Sequence, residues 1–168
     1  MKKLNNRGFT LTELIVVVAI LGILAGAASA SINQIFSNQT KKFINECDAM
    51  LTRCRIETLS GAPSNTYVQL RVEENGTCYV ALFKAGTKVE EAELKNKNAV
   101  CTYTKNGDNT VYTLANGNPL EISYNRVTGA LAPEPVNAED PDTRCTGIVV
   151  GNSKIILVPA TGYHKVGG

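Results

Sequence analysis

The feature that most constrains this chain is a long apolar run close to its N-terminus. Residues 14–28 carry no charged or strongly polar side chain, and one carboxylate, Glu13, stands at the edge of the run. A helix over residues 9–32 would extend for about 36 Å, which is enough to cross a hydrocarbon core of about 30 Å. An ionisable group at the margin of such a segment is costly without a partner, so Glu13 is a candidate functional residue.

Beyond the apolar run, the spacing of residues remains that of a helix, now with a single apolar stripe. The stripe comprises Ile32, Phe36, Thr40, Phe43, Cys47, Met50, Leu51, Cys54 and Thr58. No proline occurs between Phe9 and Ala62, and Ser60-Gly61-Ala62-Pro63 is a helix stop signal. The pattern predicts one helix over residues 9–59, with an apolar first half and an amphipathic second half.

From residue 65 onward the apolar period changes to two, which is the period of β-strands. Three hairpins with turns rich in Asn and Gly are predicted: 66–72 with 77–84, 100–104 with 110–114, and 147–150 with 154–158. The remaining segments are predicted as a strand at 120–124, a short helix or loop at 88–97, a loop at 132–142 and a short tail after 162. The fold class predicted is α+β, with an antiparallel β-sheet packed on the striped half of the helix.

The charge balance does not indicate a nucleic-acid partner. The net charge is +2, and three of the basic residues precede the apolar run: Lys2, Lys3 and Arg7. Without them, 14 basic side chains (17 less 3) face 15 acidic ones. The remainder of the chain therefore has no basic excess of the kind that nucleic-acid-binding domains show.

The cysteines leave two alternatives open. There are five of them, an odd number, so at least one stays free or pairs between molecules: Cys47, Cys54, Cys78, Cys101 and Cys145. Cys47 and Cys54 lie about 10 Å apart along a helix, too far for a disulfide with each other. Either of them can reach a sheet that carries the other three, so disulfides and buried free thiols are both compatible with the sequence.

The sequence predicts no catalytic site, no cofactor and no metal. It has no CxxC motif and one His, which does not indicate a zinc site. The acidic stretch Glu139-Asp140-Pro141-Asp142 does not have the spacing of an EF-hand and is predicted as a solvated loop rather than a calcium site. No nucleophile elbow or phosphate-binding loop is present. The prediction is therefore that the chain is not an enzyme.

The stretch Gly8-Phe9-Thr10-Leu11-Thr12-Glu13-Leu14, set between a short basic leader and the apolar helix, resembles the class III signal of type IV prepilins and pseudopilins. The resemblance implies the pilin fold with three parts. Residues 1–8 are the leader peptide, residues 9–32 are the transmembrane and filament-core half of the helix, and residues 33–168 are the globular head.

The resemblance also implies roles for three residues. A prepilin peptidase is expected to cut between Gly8 and Phe9 and to N-methylate Phe9. During assembly, the Glu13 carboxylate is expected to meet the Phe9 amine of a neighbouring subunit. A carboxylate that caps the N-terminus of its own helix is an alternative role for Glu13, and the two roles are compatible.

The predicted function is a structural subunit of a type IV pilus. Its partners are other pilin subunits, the prepilin peptidase, the pilus assembly machinery and, before assembly, the membrane. The expected location is the cytoplasmic membrane for the prepilin and then an extracellular pilus at the cell surface. A minor pilin, or a pseudopilin of type II secretion or competence, carries the same signal and is the nearest alternative.

The alternative of another class is a secreted soluble binding domain cleaved after Ala30. Ala28-Ser29-Ala30 fits the A-x-A pattern of an ordinary signal peptide. However, the apolar regions of such peptides run for about 7–15 residues, and Glu13 would fall inside or beside one. The amphipathic pattern also continues in phase beyond Ala30. These features favour the prepilin interpretation.

Overall fold

The structure is a computed structural model that describes residues 10–61, 63, 65–96, 99–108, 110–132 and 144–167, with the side chains of 28–33 left out. The chain divides into two compact units, Met1–Phe36 and Ser37–Gly168. We call the first the N-terminal unit and the second the head. The predicted leader, with Gly8, and also Phe9 and most of the predicted acidic loop, including 139–142, lie outside the described residues.

Helix α1 spans Leu11–Leu59, so the long helix predicted from the sequence is confirmed over the described residues. The amide of Leu14 donates the first helical hydrogen bond to the carbonyl of Thr10 (3.2 Å). At the other end Gly61 adopts a φ of 89°, the left-handed conformation in which helices commonly terminate. The predicted stop signal therefore ends the helix where expected.

Within the head, α1 buries one stripe of side chains, as its periodicity predicted. The buried members are Thr40, Phe43, Ile44, Cys47, Met50, Leu51, Cys54 and Thr58. All belong to the predicted stripe except Ile44, which widens it. The Thr58 hydroxyl donates to the Cys54 carbonyl (2.8 Å), so this polar member of the stripe is satisfied within the helix.

Nine strands follow α1 in the described part of the head. They are β1 (Tyr67–Val72), β2 (Cys78–Lys84), β3 (Thr87–Glu93), β4 (Cys101–Lys105), β5 (Val111–Thr113), β6 (Leu120–Ser123), β7 (Cys145–Val150), β8 (Ser153–Val158) and β9 (Tyr163–Gly167). They form a four-stranded sheet in the order β3-β2-β1-β6 and a five-stranded sheet in the order β5-β4-β7-β8-β9. Neighbouring strands are antiparallel throughout both orders. The α+β fold class is confirmed, with two sheets where the sequence suggested one.

The three predicted hairpins and the predicted strand at 120–124 are present, but two other predictions were wrong. Residues 88–97 were expected to be a short helix or loop, yet most of them belong to β3, which pairs with β2. The turn between them is Ala85-Gly86, with φ values of 52° and 75°, the conformation that tight hairpins require. The charged residues of β3 obscure the alternating pattern by which a strand is predicted. They lie on an exposed sheet edge, where charges are well tolerated.

The predicted C-terminal tail is the second exception, because residues 163–167 form β9 at the edge of the five-stranded sheet. Val158 pairs with Tyr163 across a turn in which Gly162 adopts a φ of 65°. An ideal Cβ at Gly162 would lie 1.9 Å from the Gly129 carbonyl oxygen. Glycine therefore permits both the turn and its close approach to the 129 loop.

The core of the head is one cluster that includes the helix stripe and the buried faces of both sheets. Polar contacts from the helix fix two loops around it. Arg55 donates through Nε to the carbonyl of Gly129 (3.2 Å) and through a terminal guanidinium nitrogen to the carbonyl of Thr161 (2.9 Å). The apolar face of α1 within the head is therefore covered by residues of the head's own sheets.

Candidate functional site

The candidate site predicted from the sequence lies at the start of α1, and the structure describes one of its three residues. Glu13 is in the first turn of the helix. Gly8 and Phe9, the predicted cleavage and methylation positions, lie outside the described residues. Their roles therefore remain predictions.

Glu13 forms a capping box with Thr10. Its Oε2 atom accepts hydrogen bonds from the backbone amide of Thr10 (2.9 Å) and from the Thr10 hydroxyl (3.0 Å). In return, the Glu13 amide donates to the Thr10 hydroxyl (3.3 Å). This reciprocal arrangement satisfies backbone donors that the first helical turn leaves free, and it places a negative charge at the positive end of the helix dipole. The capping role proposed for Glu13 is therefore present.

Thr10 is the member of the site that the sequence reasoning missed. A Thr followed three residues later by Glu, just before an apolar run, is the sequence signature of a capping box. That signal was available in Thr10-Leu11-Thr12-Glu13.

The side chains around this cap are apolar and exposed. Ten large apolar residues of the helix start are between 51% and 75% exposed: Leu11, Leu14, Ile15, Val16, Val17, Val18, Ile20, Leu21, Ile23 and Leu24. Glu13 is the single charged residue from 10 to 36. An exposed apolar surface of this kind marks a site that contacts lipid or other protein.

Among the described residues, no helix has both the length and the apolar character that a membrane span needs.

All five cysteines are buried free thiols in the structure. Burial raises the pKa of the Cys54 thiol to about 12. Desolvation, followed by the nearby Cys101, raises the pKa of Cys47 well above its usual value. A hydrogen bond with Cys101, followed by desolvation, raises the pKa of Cys78 in the same direction. The thiol of Cys145 donates a hydrogen bond to the carbonyl of Gly147 (3.4 Å).

Among the described residues, no three His, Cys, Asp or Glu side chains are arranged to hold a metal ion. The one histidine, His164, is largely buried and contacts the helix. The side chain of His164 is 7% exposed, and its Nε2 atom lies 3.0 Å from the Thr52 hydroxyl and 3.6 Å from the nearer carboxylate oxygen of Asp48. His164 therefore links β9 to α1. Because the contacting residues are far apart in the sequence, no local pattern predicts this contact.

Comparison with known proteins agrees with the signal at the start of the chain. Residues 3–29 match the prokaryotic N-terminal methylation motif, which is the class III signal of type IV prepilins. No curated protein and no solved structure matches the chain. The motif implies processing by a prepilin peptidase, a membrane-anchored precursor, and assembly with other pilins at the cell surface. The chain therefore carries the class III signal of type IV prepilins, and this signal supports a precursor of the pilin or pseudopilin type.

Proposed function

We propose that the chain is a structural subunit of a type IV pilus. The prepilin peptidase cuts between Gly8 and Phe9, releases the basic leader and N-methylates the new terminus at Phe9. The N-terminal unit first lies in the membrane and then packs with copies of itself in the filament core, while the head remains outside. Residues 1–8, 9–32 and 33–168 are the leader, the core half of the helix and the head in this proposal.

The observation that carries the proposal is an apolar helix surface interrupted by one carboxylate. The exposed side chains from Leu11 to Leu24 surround the helix, so a partner on one side alone would leave part of them uncovered. Lipid or a bundle of identical helices covers them completely. Because lipid is as apolar as a helix bundle, burial alone does not drive extraction into a filament. Work by the assembly machinery has to supply that difference.

Glu13 supplies what the apolar contacts lack, which is a preferred register. A carboxylate in an apolar environment is penalised unless a cation accompanies it. Cleavage creates an amine at Phe9, four residues before Glu13, on every mature subunit. The cap engages Oε2, and within the described residues no donor is assigned to Oε1. Glu13 can therefore keep its cap and accept the amine of a neighbouring subunit at the same time.

The N-terminus of the mature protein tests the processing step directly. Mass spectrometry is expected to find N-methylated Phe9 as the first residue. An intact Met1 or a start at Ser31 would reject the proposal, and the latter would establish the secreted binding domain cut after Ala30. Purified filaments then separate a shaft subunit, present along their length, from a minor pilin or a pseudopilin, which share the signal.

Substitutions of Glu13 separate its two roles. Glu13→Gln retains an acceptor for the capping box but loses the charge, whereas Thr10→Ala removes the hydroxyl and retains the charge. We expect normal cleavage in both variants. Incorporation into filaments should fall at least about a hundredfold for Glu13→Gln, because breaking a buried ion pair costs about 3–5 kcal/mol. Thr10→Ala should lose far less.

Glu13→Val removes both roles and should match Glu13→Gln in filament yield. The measurement is the ratio of filamentous to membrane-bound mature protein, with total processed protein as the control. Wild-type yield from Glu13→Gln would show that Glu13 acts as a cap alone.

A further inference from the structure

The five-stranded sheet of the head has one face in the core and the other uncovered. Ile148 of β7 pairs with Ile155 of β8, and both are buried, so this row lies on the core side. The next row along the strands points outward, because side chains alternate between the two faces of a sheet. That row crosses all five strands: Val111, Thr104, Gly147, Ile156 and Lys165. We call the outward side of β5-β4-β7-β8-β9 the basic face.

The basic face combines exposed apolar side chains with charge of one sign. Four large side chains on it are between 36% and 61% exposed: Val111, Ile156, Val158 and Tyr163. The charged residues among them are Lys154 and Lys165, both exposed, and none of the five strands contains an acidic residue. Within the described residues, no carboxylate pairs with either lysine. The basic face therefore carries two positive charges that the head itself does not neutralise.

The four-stranded sheet has an outward side of the opposite charge. Val68 of β1 and Val80 of β2 are buried, so the alternate positions of this sheet point outward. On that side Glu93 lies opposite Tyr79, and Glu121 lies opposite Gln69. We call the outward side of β3-β2-β1-β6 the acidic face.

Carboxylates outnumber cations on the acidic face. Arg71 and Lys88 both contact Glu91, at 2.6 Å and 2.9 Å. Among the described residues, Glu93 and Glu121 have no ion pair. The acidic face therefore retains two carboxylates that no cation of the same head accompanies.

Aromatic rings give the acidic face an apolar surface as well. The rings of Tyr67 and Phe83 are stacked, with centroids 4.9 Å apart. The guanidinium of Arg71 lies 4.9 Å from the centre of the Tyr79 ring. Aromatic residues are enriched where protein surfaces meet, so this face has the composition of an interface.

We propose that the basic face of one head docks on the acidic face of a neighbouring copy of the chain. The inference rests on the proposed function, because a filament places the heads of successive subunits side by side. Each face joins apolar surface to unneutralised charge, and the two charges are opposite in sign. Contact between the faces removes apolar side chains of both from water and brings Lys154 and Lys165 near Glu93 and Glu121.

Two different surfaces meet in this contact, so the contact is heterologous. A copy that uses its basic face toward one neighbour keeps its acidic face for another, and such contacts continue as an open chain instead of closing as a dimer. A membrane or a nucleic acid would attract the basic face alone, and the acidic face of the same head would be repelled by it. A second copy of the chain satisfies both faces.

The test uses filaments assembled from two co-expressed full-length variants. The first carries Lys154→Arg and Lys165→Arg, which retain the charge but remove the reactive amines. The second carries Glu93→Gln and Glu121→Gln. A carbodiimide joins a lysine amine to a carboxylate in direct contact with it. A link from Lys154 or Lys165 to Glu93 or Glu121 can then form only between copies.

Tryptic digestion and mass spectrometry of the treated filaments are expected to find this link. Filaments of either variant alone are the control and should lack it. Intact mixed filaments without the link would overturn the proposal. Protection of Lys154 and Lys165 from an amine-reactive label by phosphatidylglycerol vesicles, again with no link between copies, would assign the basic face to a membrane and overturn it too.

Reversing charges tests whether electrostatic attraction holds the faces together. In filaments of one chain type, Lys165→Glu should lower the yield of the Lys154 link about three- to fivefold. Adding Glu93→Lys to the same chain should restore the yield and create a link between positions 93 and 165 with its two ends exchanged. Lys41→Glu, at an exposed position of α1, makes the same change in net charge and should leave the yield unaltered. Equal yields from Lys165→Glu and Lys41→Glu would contradict the docking.

The outcomes separate this inference from the proposed function. Filaments that form without the link reject the docking and leave the pilus assignment standing. Absence of filaments rejects the pilus assignment. In that case the two co-expressed variants are reconstituted together in phosphatidylcholine vesicles, where helices held in lipid bring the heads together. Failure to link there rejects the docking as well.

Discussion

Helix α1 lies in two environments, and the contrast between them separates the parts of the chain. In the N-terminal unit, Leu24 is 59% exposed, and the large apolar residues around it are similarly uncovered. In the head, Leu51 of the same helix is fully buried by the core cluster. The helix face of the head is covered by residues of the same chain, whereas the described residues leave the apolar side chains at the start of α1 exposed.

This difference shows that hydrophobicity alone does not tell which part of the chain stabilises the fold. An apolar side chain contributes to the stability of the head when the sheets remove it from water, at about 25 cal/mol for each Å². The exposed apolar side chains of the N-terminal unit make no such contribution, and in the proposed function they associate with lipid or with other subunits. The same substitution should therefore lower the stability of the head when it is made in the head, and weaken association when it is made in the N-terminal unit.

A matched pair of leucine substitutions gives the largest expected contrast. Leu51→Ala should lower the free energy of unfolding of the head by about 2–5 kcal/mol, because it opens a cavity in a closely packed core. Leu24→Ala should change it by less than about 0.5 kcal/mol, since no core contact is lost. Urea denaturation of the full chain in detergent, followed by a probe in the head, measures both.

In an assembly assay the order of the two variants should be reversed. Leu24→Ala should lower the filament yield more, because it weakens contacts between helices. Leu51→Ala should lower the yield only through the amount of folded head. Equal losses of head stability from both substitutions would abolish the distinction between the units.

Close backbone approach in the head gives a second contrast, of somewhat smaller size. Gly162→Ala should cost about 2–4 kcal/mol, because its Cβ would collide with the Gly129 carbonyl and the residue has a positive φ. Gly107→Ala is the control. Its φ of 75° is similar, but nothing lies within 4 Å of its Cβ. The control should lose about 1–2 kcal/mol, the cost of the left-handed conformation. Equal thermal denaturation midpoints would show that the loops at 129 and 162 can separate freely.

Local patterns in the sequence predicted most of the fold. The helix of α1, its stop signal, its buried stripe and the three hairpins follow from periodicities and turn residues within short windows. The two missed strands, β3 and β9, are sheet edges, where exposed polar residues dilute the alternation that identifies a strand. Two sheets appeared in place of one because sheet membership depends on which distant strands pair, and local patterns do not contain that information.

In the candidate site, too, local features could be predicted from the sequence and contacts between distant residues could not. Glu13 was predicted because a charge beside an apolar run is conspicuous, and its cap by Thr10 was within reach of the same local reasoning. The choice between disulfides and buried free thiols was not, since it depends on how the sheets pack on the helix. The position of His164 against Thr52 was beyond local reasoning for the same reason.

Surface charge in the head gives the smallest expected effect. Glu91 accepts hydrogen bonds from Lys88 (2.9 Å) and Arg71 (2.6 Å), and these contacts hold the pKa of its carboxyl below the usual 4.5. A depressed pKa in the folded state stabilises the head fully above the unfolded value. That contribution is lost as the pH falls through the folded pKa. Glu91→Gln should therefore cost less than about 1 kcal/mol at neutral pH, because exposed ion pairs contribute little.

The difference between wild type and Glu91→Gln should shrink as the pH falls below 4.5 and vanish once the folded carboxyl is protonated. Glu74→Gln, in the turn between β1 and β2, removes the same charge from an exposed position and controls for net charge. Urea denaturation of the three proteins across this range measures the effect. If Glu74→Gln reproduces the pH profile of Glu91→Gln, the contacts of Glu91 with Lys88 and Arg71 contribute nothing specific to the stability of the head.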